Sequence, residues 1–297
     1  MLEEPYPWPS LCLSVRFCGQ CGVSMNTAFA RVAENERLYG DTHVTWFAAP
    51  EVVRGAVPGQ FVMLRCVEPA PHGESPPQAG ALPDDPLLPR AMSVHRLRQG
   101  PDGPEWSILY DVVGRGTAWL ASRRTGDLVF CWGPLGHGYT VRPSSQQLLL
   151  VAGGIGVAPL VWLADDAVER GKSVTIILGG RTADQIFPAS LLPLEVEVVV
   201  MTEDGSSGRR GLATEAFVEH LEWCDQTFAC GPNAMFQAMA EAMRHRRPPE
   251  ADRPVQVLLE EAMGCGTGIC YGCAVETRRG MRLVCKDGPK FELRELL

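Results

Sequence analysis

Short hydrophobic runs separated by turn residues fill the first half of the chain. The runs are Ala28–Val32, His43–Ala48, Phe61–Arg65, Met92–Leu97, Trp106–Val113 and Leu128–Trp132. The turn residues between them are Pro58-Gly59, Gly100–Pro104 and Gly133-Pro134. Many short strands at such spacing predict an antiparallel β-barrel or sandwich.

The pattern changes after Arg142, where apolar runs alternate with longer amphipathic stretches. The predicted strands are Leu148–Ala152, Val174–Leu178, Glu195–Met201 and Thr227–Cys230, and the predicted helices are Leu160–Arg170, Thr214–His220 and Ala234–Arg244. Strands that alternate with helices indicate a parallel sheet with crossover connections. The second half is therefore predicted to be a nucleotide-binding α/β domain.

These patterns divide the chain into four parts and predict an α+β multidomain fold. Residues 1–25 form an N-terminal extension without apolar periodicity, and we expect residues 1–24 to be dispensable. The barrel occupies 26–143, with a long surface loop between Glu68 and Arg90 that bears Pro, Gly and Asp residues. The α/β domain occupies 144–248. An Arg-Arg-Pro-Pro linker at 246–249 leads into a small C-terminal module, 249–297.

Composition narrows the classes of function. The 297 residues carry a net charge of −8 and no long basic run, which argues against nucleic-acid or anionic-membrane partners. The uncharged stretch Pro143–Ala164 contains three glycines and Pro159, so a buried strand and turn fit it better than a membrane span does. The start of the chain lacks secretory features, and we expect a cytoplasmic protein.

Eleven cysteines are many for a reducing compartment, and four of them cluster. The four are Cys265, Cys270, Cys273 and Cys285. Their spacing is C-x4-C-x2-C-x11-C, and the first three match the loop of a plant-type [2Fe-2S] ferredoxin. Glycines flank them because a loop around a cluster turns tightly and brings backbone N–H groups to the sulfurs.

Two alternative roles for the cysteines stay open. One is a structural zinc site, in which Cys18 and Cys21 join Cys270 and Cys273; the other is a set of unligated reduced thiols. Zinc sites usually contain two C-x2-C pairs, so the four-residue gap fits zinc poorly. By themselves, Cys18 and Cys21 indicate no role.

Glycine turns at strand ends predict a dinucleotide site. Gly153, Gly154 and Gly156 follow a predicted strand, where a backbone can approach a pyrophosphate. The motif is G-x-G-x-x-P, and Gly179-Gly180-Arg181 closes the next strand where an acidic residue would favour NAD. A tight turn without a ligand is the alternative. Arg181 could meet a 2′-phosphate, so the choice between NAD and NADP stays open.

Three further segments carry candidate contacts. Cys230-Gly231-Pro232 ends a strand where a nicotinamide ring could lie, although a buried strand-end cysteine is equally compatible. Arg90 could pair with a phosphate and Ser93 could hydrogen-bond a flavin edge. Gly116 and Thr117 open a predicted helix that could cap a phosphate. A surface arginine and an ordinary turn are the simpler interpretation of each.

Taken together, residues 26–297 resemble the ferredoxin–NADP reductase superfamily, and within it the electron-transfer subunits of class 1B dihydroorotate dehydrogenases. The stretches that carry the resemblance are Arg90–Val94, Leu109–Thr117, Gly133–Gly136, Thr202–Gly205 with Gly208 and Gly211, Cys230–Pro232, Glu260–Cys265 and Cys285–Pro289. Residues 1–24 precede the usual start, and Met92 stands where many members of the superfamily have tyrosine.

The resemblance implies three redox groups and a partner. FAD would be held by Arg90, Ala91, Met92, Ser93, Leu109, Tyr110, Asp111, Gly116 and Thr117, and one [2Fe-2S] cluster by the four cysteines. The partner would be an FMN-bearing subunit that oxidises dihydroorotate to orotate in pyrimidine biosynthesis, in a heterotetramer of two copies of each chain. Electrons would pass from FMN through the cluster and FAD to NAD, because a hydride carries two electrons and the cluster takes one.

Two other functions remain as alternatives. The first is a reductase subunit of a sulfide dehydrogenase or a transhydrogenase-type complex. The second is a zinc-stapled, nucleotide-binding regulatory protein without redox turnover. No residue supplies a base for dihydroorotate, so that chemistry is not expected on this chain.

Overall fold

The computed structural model describes residues 25–67, 86–244 and 253–296. The N-terminal extension with Cys18 and Cys21, most of the predicted surface loop (68–85) and the linker (245–252) lie outside the described residues. In the described parts of the chain, no helix is long and apolar enough to cross a membrane.

The first half forms one antiparallel seven-stranded sheet. Its strands are β1 (Asn26–Tyr39), β2 (Thr42–Ala48), β3 (Phe61–Leu64), β4 (Arg90–Ser93), β5 (Arg96–Gly100), β6 (Gly103–Asp111) and β7 (Leu128–Leu135), with helix α1 (Arg115–Ala121) between β6 and β7. The order is β4-β3-β7-β1-β2-β6-β5. The side chains of Phe47 and Trp106 stack in its core with their centroids 4.7 Å apart.

The single strand predicted over Met92–Leu97 is wrong, because two strands share that segment. β4 pairs with β3 at one edge of the sheet, whereas β5 pairs with β6 at the other. Between them the chain turns at Val94 and His95, which are both buried. The Val94 N–H donates to the Gln60 carbonyl, and the His95 N–H donates to the Ser107 carbonyl. The connection therefore links the two edges of the sheet.

The second half forms a seven-stranded sheet that is parallel except at one edge. Its elements are β8 (Gln147–Gly153), α2 (Ala158–Glu169), β9 (Ser173–Gly180), β10 (Glu197–Thr202), β11 (Arg209–Arg210), α3 (Ala213–His220), β12 (Gln226–Cys230), α4 (Asn233–Arg244) and β13 (Val255–Leu258). A last strand, β16 (Lys290–Glu292), pairs antiparallel with β13. The order is β11-β10-β9-β8-β12-β13-β16.

The C-terminal segment is divided between this sheet and a small hairpin. The hairpin consists of β14 (Ala274–Thr277) and β15 (Gly280–Leu283), and the short helix α5 (Val284–Asp287) follows it. Because β13 and β16 complete the second sheet, the segment predicted as a separate module shares its core with the α/β domain. The boundary at residue 248 stays a prediction.

One apolar core joins the two sheets and the C-terminal segment. It contains Met63 and Leu135 from the first sheet, Val257 from the second, and Cys273 and Cys285 from the cysteine cluster. The candidate metal ligands are therefore anchored on both large sheets.

Candidate functional site

The four candidate cluster ligands come together from two segments. Cys265, Cys270 and Cys273 lie on the loop between β13 and β14, which we call the cluster loop (residues 264–273), and Cys285 lies in α5. The β14–β15 hairpin returns the chain so that Cys285 reaches Cys273, whose sulfur accepts the Cys285 N–H at 3.4 Å.

The four sulfurs form two pairs. The Cys270 side chain helps to lower the pKa of Cys265, and the Cys273 side chain helps to raise that of Cys285. Within the described residues, no three His, Cys, Asp or Glu side chains converge as ligands of one metal ion would. Two thiol pairs are the donor set that two irons need, since four cysteines ligate a [2Fe-2S] cluster.

Backbone donors surround these sulfurs. The Cys265 sulfur accepts the Thr267 N–H at 3.4 Å, and the Cys270 sulfur accepts the Gly272 N–H at 3.5 Å. Burial raises the pKa of the Cys265 thiol, but N–H donors from Cys270 and Thr267 outweigh it and lower that pKa to about 6. Burial, with Cys273 next, raises the pKa of Cys285 to about 12. Thiolate ligands need such donors, so the residues fit the cluster.

The cluster loop packs directly on the first sheet. A Cβ atom built on Gly266 would lie 2.6 Å from Met63 Cγ and 3.0 Å from Leu135 Cδ1. At the far end of α5, the Gly288 carbonyl accepts the His137 N–H at 2.6 Å. Only glycine allows the close approach at position 266, where φ is also +72°.

Arg90 and Gly116, predicted separately as phosphate contacts, lie against each other. A Cβ on Gly116 would come within 2.6 Å of Arg90 Nε, so the guanidinium fills the space that a side chain would occupy. Thr117 Oγ1 accepts the N–H groups of Val113 and Gly114 at 3.0 and 3.2 Å and closes the first turn of α1. A guanidinium beside a glycine-opened turn fits the pyrophosphate of a dinucleotide.

Five of the other predicted flavin residues divide into two groups. Ala91, Met92 and Ser93 lie half-buried on β4, an edge strand that pairs only with β3 among the described residues. Leu109 and Tyr110 are buried, and the Tyr110 hydroxyl lies 3.1 Å from Thr45 Oγ1. The side chains of Leu109 and Tyr110 belong to the core. A flavin contact from these two residues stays a prediction, and it would involve only their backbone atoms.

A cleft of about 680 Å³ opens at the carboxyl ends of β8, β9, β10 and β12. Asp111 lines it from the first sheet, and its carboxylate accepts the Thr42 hydroxyl at 2.6 Å. Gly154 lines it from the second sheet, with φ +55° and no atom within 4 Å of its missing Cβ. This open glycine turn beside a cleft is the arrangement that admits a pyrophosphate.

Close packing accounts for the glycines around Gly154. A Cβ on Gly156 would lie 2.2 Å from the Cys230 carbonyl oxygen, and one on Gly153 would lie 2.7 Å from Pro232. A Cβ on Gly231, where φ is +158°, would lie 3.0 Å from Gly153 Cα. These residues let the turns after β8 and β12 approach each other, so that Pro232 lines the cleft while the Cys230 side chain stays buried behind it.

Cys230 has a partner that the sequence did not suggest. Its buried thiol donates to Glu260 Oε1 at 3.5 Å, and burial followed by the Glu260 charge raises its pKa well above the usual range. The protein atoms around Glu260 and the charge of Asp111 raise the pKa of that carboxyl in turn. Glu260 lies two residues beyond the end of β13, and only the pairing of β13 with β12 places it beside Cys230.

Comparisons with known proteins show to which family the chain belongs. The model of the iron-sulfur cluster binding domain of dihydroorotate dehydrogenase B matches residues 260–297. The electron transfer subunit of dihydroorotate dehydrogenase B (NAD(+)) from Desulforamulus reducens is 37% identical over 258 residues, which cover 84% of this chain and 90% of the relative. The chain belongs to this family. The family prediction is thereby confirmed.

Other similarities agree with the dihydroorotate dehydrogenase B family and its fold. The corresponding subunit from Geobacillus thermodenitrificans is 36% identical, covering 81% of this chain and 86% of its own. A solved NADH-dependent reduced ferredoxin–NADP oxidoreductase, studied for flavin-based electron bifurcation, superposes with a TM-score of 0.73 at 27% identity, covering 91% of this chain and 90% of that one. A ferredoxin NADP+ reductase from Neisseria gonorrhoeae shares the fold, with a TM-score of 0.57, at 16% identity, over 78% of this chain and 98% of its own. The predicted fold class and iron–sulfur segment are confirmed.

Proposed function

We propose that the chain carries electrons between a catalytic dehydrogenase subunit and NAD, through one [2Fe-2S] cluster and one FAD. The partner in this proposal is an FMN-bearing subunit that oxidises dihydroorotate to orotate, assembled as two copies of each chain. When bound, FAD supplies the conversion between one-electron and hydride transfer. The observation that carries the proposal is the contact of the cluster loop with β3, the strand next to β4.

Each part of the chain has one task in this function. Cys265 and Cys270 would hold one iron and Cys273 and Cys285 the other, and the N–H donors around the sulfurs would set the potential. Arg90 would neutralise the FAD pyrophosphate beside Gly116. The cleft at the ends of β8 and β12 would hold NAD(H), with Gly154 against its pyrophosphate and Cys230 near its nicotinamide.

The partner is expected to dock on the exposed face of the cluster loop. Ile269 is 74% exposed and Tyr271 is 70% exposed, on either side of the exposed ligand Cys270. Leu88 lies 3.9 Å from the position of a Cβ on Gly264 and is itself 54% exposed. Apolar side chains around an exposed cluster ligand suit a partner surface that must approach the cluster closely.

Ile269→Asp tests this docking surface. The variant should keep its cluster and its NADH-dependent dye reduction but lose most of its coupling to the catalytic subunit, because a charge would be buried at the interface. Leu194→Asp is the matched control, since Leu194 is fully exposed away from the cluster loop. Equal coupling by both variants would place the partner elsewhere.

A pull-down identifies the partner itself. We expect a dihydroorotate-oxidising FMN subunit to co-purify with the full chain. A sulfide dehydrogenase or transhydrogenase-type subunit in its place would favour the alternative complex and overturn the pyrimidine assignment.

A further inference from the structure

An acidic residue lines the cleft just after β10, whereas no acidic residue stands at the end of β9. β9 ends at Gly180 and Arg181 follows it. In the neighbouring strand β10, Thr202 pairs with Gly180, so the next residue, Glu203, lies at the same edge of the sheet. The Glu203 N–H donates to the Gly180 carbonyl at 3.1 Å, and Glu203 lines the cleft.

Carboxylates dominate this end of the cleft. Asp184 lines it together with Glu203, and the only guanidinium among its described lining residues is that of Arg181. Arg181 Nε donates to Gln185 Oε1 at 3.5 Å, and the Thr182 hydroxyl donates to the Asp184 carboxylate. The walls that meet here therefore present net negative charge to a ligand.

The order of the strands in the sheet predicts where each half of a bound dinucleotide would lie. β9 and β10 lie on one side of β8, and β12 lies on the other. When a parallel sheet binds a dinucleotide, the pyrophosphate lies at the first strand's glycine turn and the adenosine ribose beyond the next strand. With the nicotinamide at Cys230 of β12, the adenosine ribose would lie over the ends of β9 and β10, beside Glu203.

We infer that Glu203 sets a preference for NAD over NADP. Its carboxylate accepts a hydrogen bond from the 2′-hydroxyl of the adenosine ribose and repels a 2′-phosphate at the same position. The inference rests on the proposed function, because it requires that the cleft take NAD(H). Each unit negative charge about 4 Å from a carboxylate in water weakens binding about fivefold, and a 2′-phosphate carries up to two such charges.

The test compares two probes that differ only in the 2′-phosphate. Binding of 5′-AMP and adenosine 2′,5′-bisphosphate to the full, cofactor-loaded chain is measured by calorimetry. The wild type should prefer 5′-AMP. Glu203→Gln should shift the affinity ratio towards the bisphosphate by about five- to twenty-fivefold. Glu197→Gln, the same change at the opposite end of β10, should leave the ratio unchanged.

Kinetics provide a second measurement. In Glu203→Gln, kcat/KM for NADPH should rise through KM, while kcat/KM for NADH should not rise. An unaltered ratio in Glu203→Gln, or a shift found only in Asp184→Asn, would overturn the role of Glu203 and leave the proposed function standing. A wild-type chain that neither binds 5′-AMP nor oxidises NADH would overturn the proposed function itself.

Discussion

Gly266 of the cluster loop lies on Met63 of β3, so closely that a Cβ on Gly266 would come within 2.6 Å of Met63 Cγ. Met63 pairs with Ala91 across the β3–β4 ladder. The cluster loop is therefore one strand away from the segment that begins with Arg90. In the proposed function, electrons would pass across this contact between the cluster and a flavin on the first sheet.

Gly266→Ala should damage this contact. The residue needs φ +72°, so alanine costs about 1–2 kcal/mol in the backbone, and its Cβ adds about 1–3 kcal/mol of overpacking against Met63. Gly280→Ala is the control, because Gly280 has φ +91° but no atom within 4 Å of a Cβ. Thermal denaturation should show a larger loss for Gly266→Ala, and equal losses would refute the tight packing of the loop.

Arg90→Ala should weaken flavin retention by about 1.5–3 kcal/mol, because a charge-assisted contact with the pyrophosphate is lost. The measurement is the flavin-to-protein ratio after dialysis. Arg124→Ala removes an exposed guanidinium beyond the other end of α1 and should have no effect. Unchanged flavin occupancy in Arg90→Ala would contradict the assignment.

Cys270→Ser should remove the iron–sulfur absorption while FAD remains, because the predicted flavin residues lie on the first sheet and on α1. Cys224→Ser should change neither, since the Cys224 sulfur lies buried, 3.5 Å from Thr227 Oγ1 and away from the cluster loop. Iron and sulfide analysis with visible spectra distinguishes the outcomes. Full iron and sulfide content in Cys270→Ser would show that Cys270 is not a ligand.

His95 should make stability depend on pH. It is buried between the sheets, with Nδ1 2.9 Å from the Ala158 carbonyl oxygen, and burial lowers its pKa to about 4. From about pH 6.5 down to 4 the unfolded chain binds a proton that the folded chain does not, so stability falls as pH falls, by about 1.4 kcal/mol per unit.

Variants at two histidines test that dependence. His95→Gln should be less stable than the wild type at pH 7 but should lose less stability between pH 7 and 5. His137→Gln changes an exposed histidine and should keep the wild-type slope. The measurement is the melting temperature at the two pH values, and parallel slopes for the wild type and His95→Gln would exclude the assigned role.

Much of the architecture follows from local patterns. Alternating runs predict the strands of the first sheet, and the C-x4-C-x2-C spacing predicts the ligands, because both depend on neighbours in sequence. The place of β13 does not follow, since a four-residue apolar run such as Val255–Leu258 does not reveal which strands flank it. Glu203 and Glu260 join the site only through the pairing of β10 with β9 and of β13 with β12. Which strands lie side by side is a feature of the tertiary structure, and the local sequence pattern does not reveal it.

In the proposed function this chain transfers electrons but does not itself oxidise dihydroorotate. The decisive measurement follows NAD reduction with dihydroorotate as the donor while the catalytic subunit is titrated into the isolated chain. We predict that NADH-dependent dye reduction is present from the start. Dihydroorotate-dependent NAD reduction should be absent at first and should rise to saturation as the catalytic subunit is added. Turnover of dihydroorotate by the chain alone, or no coupling at any ratio, would contradict the proposed function.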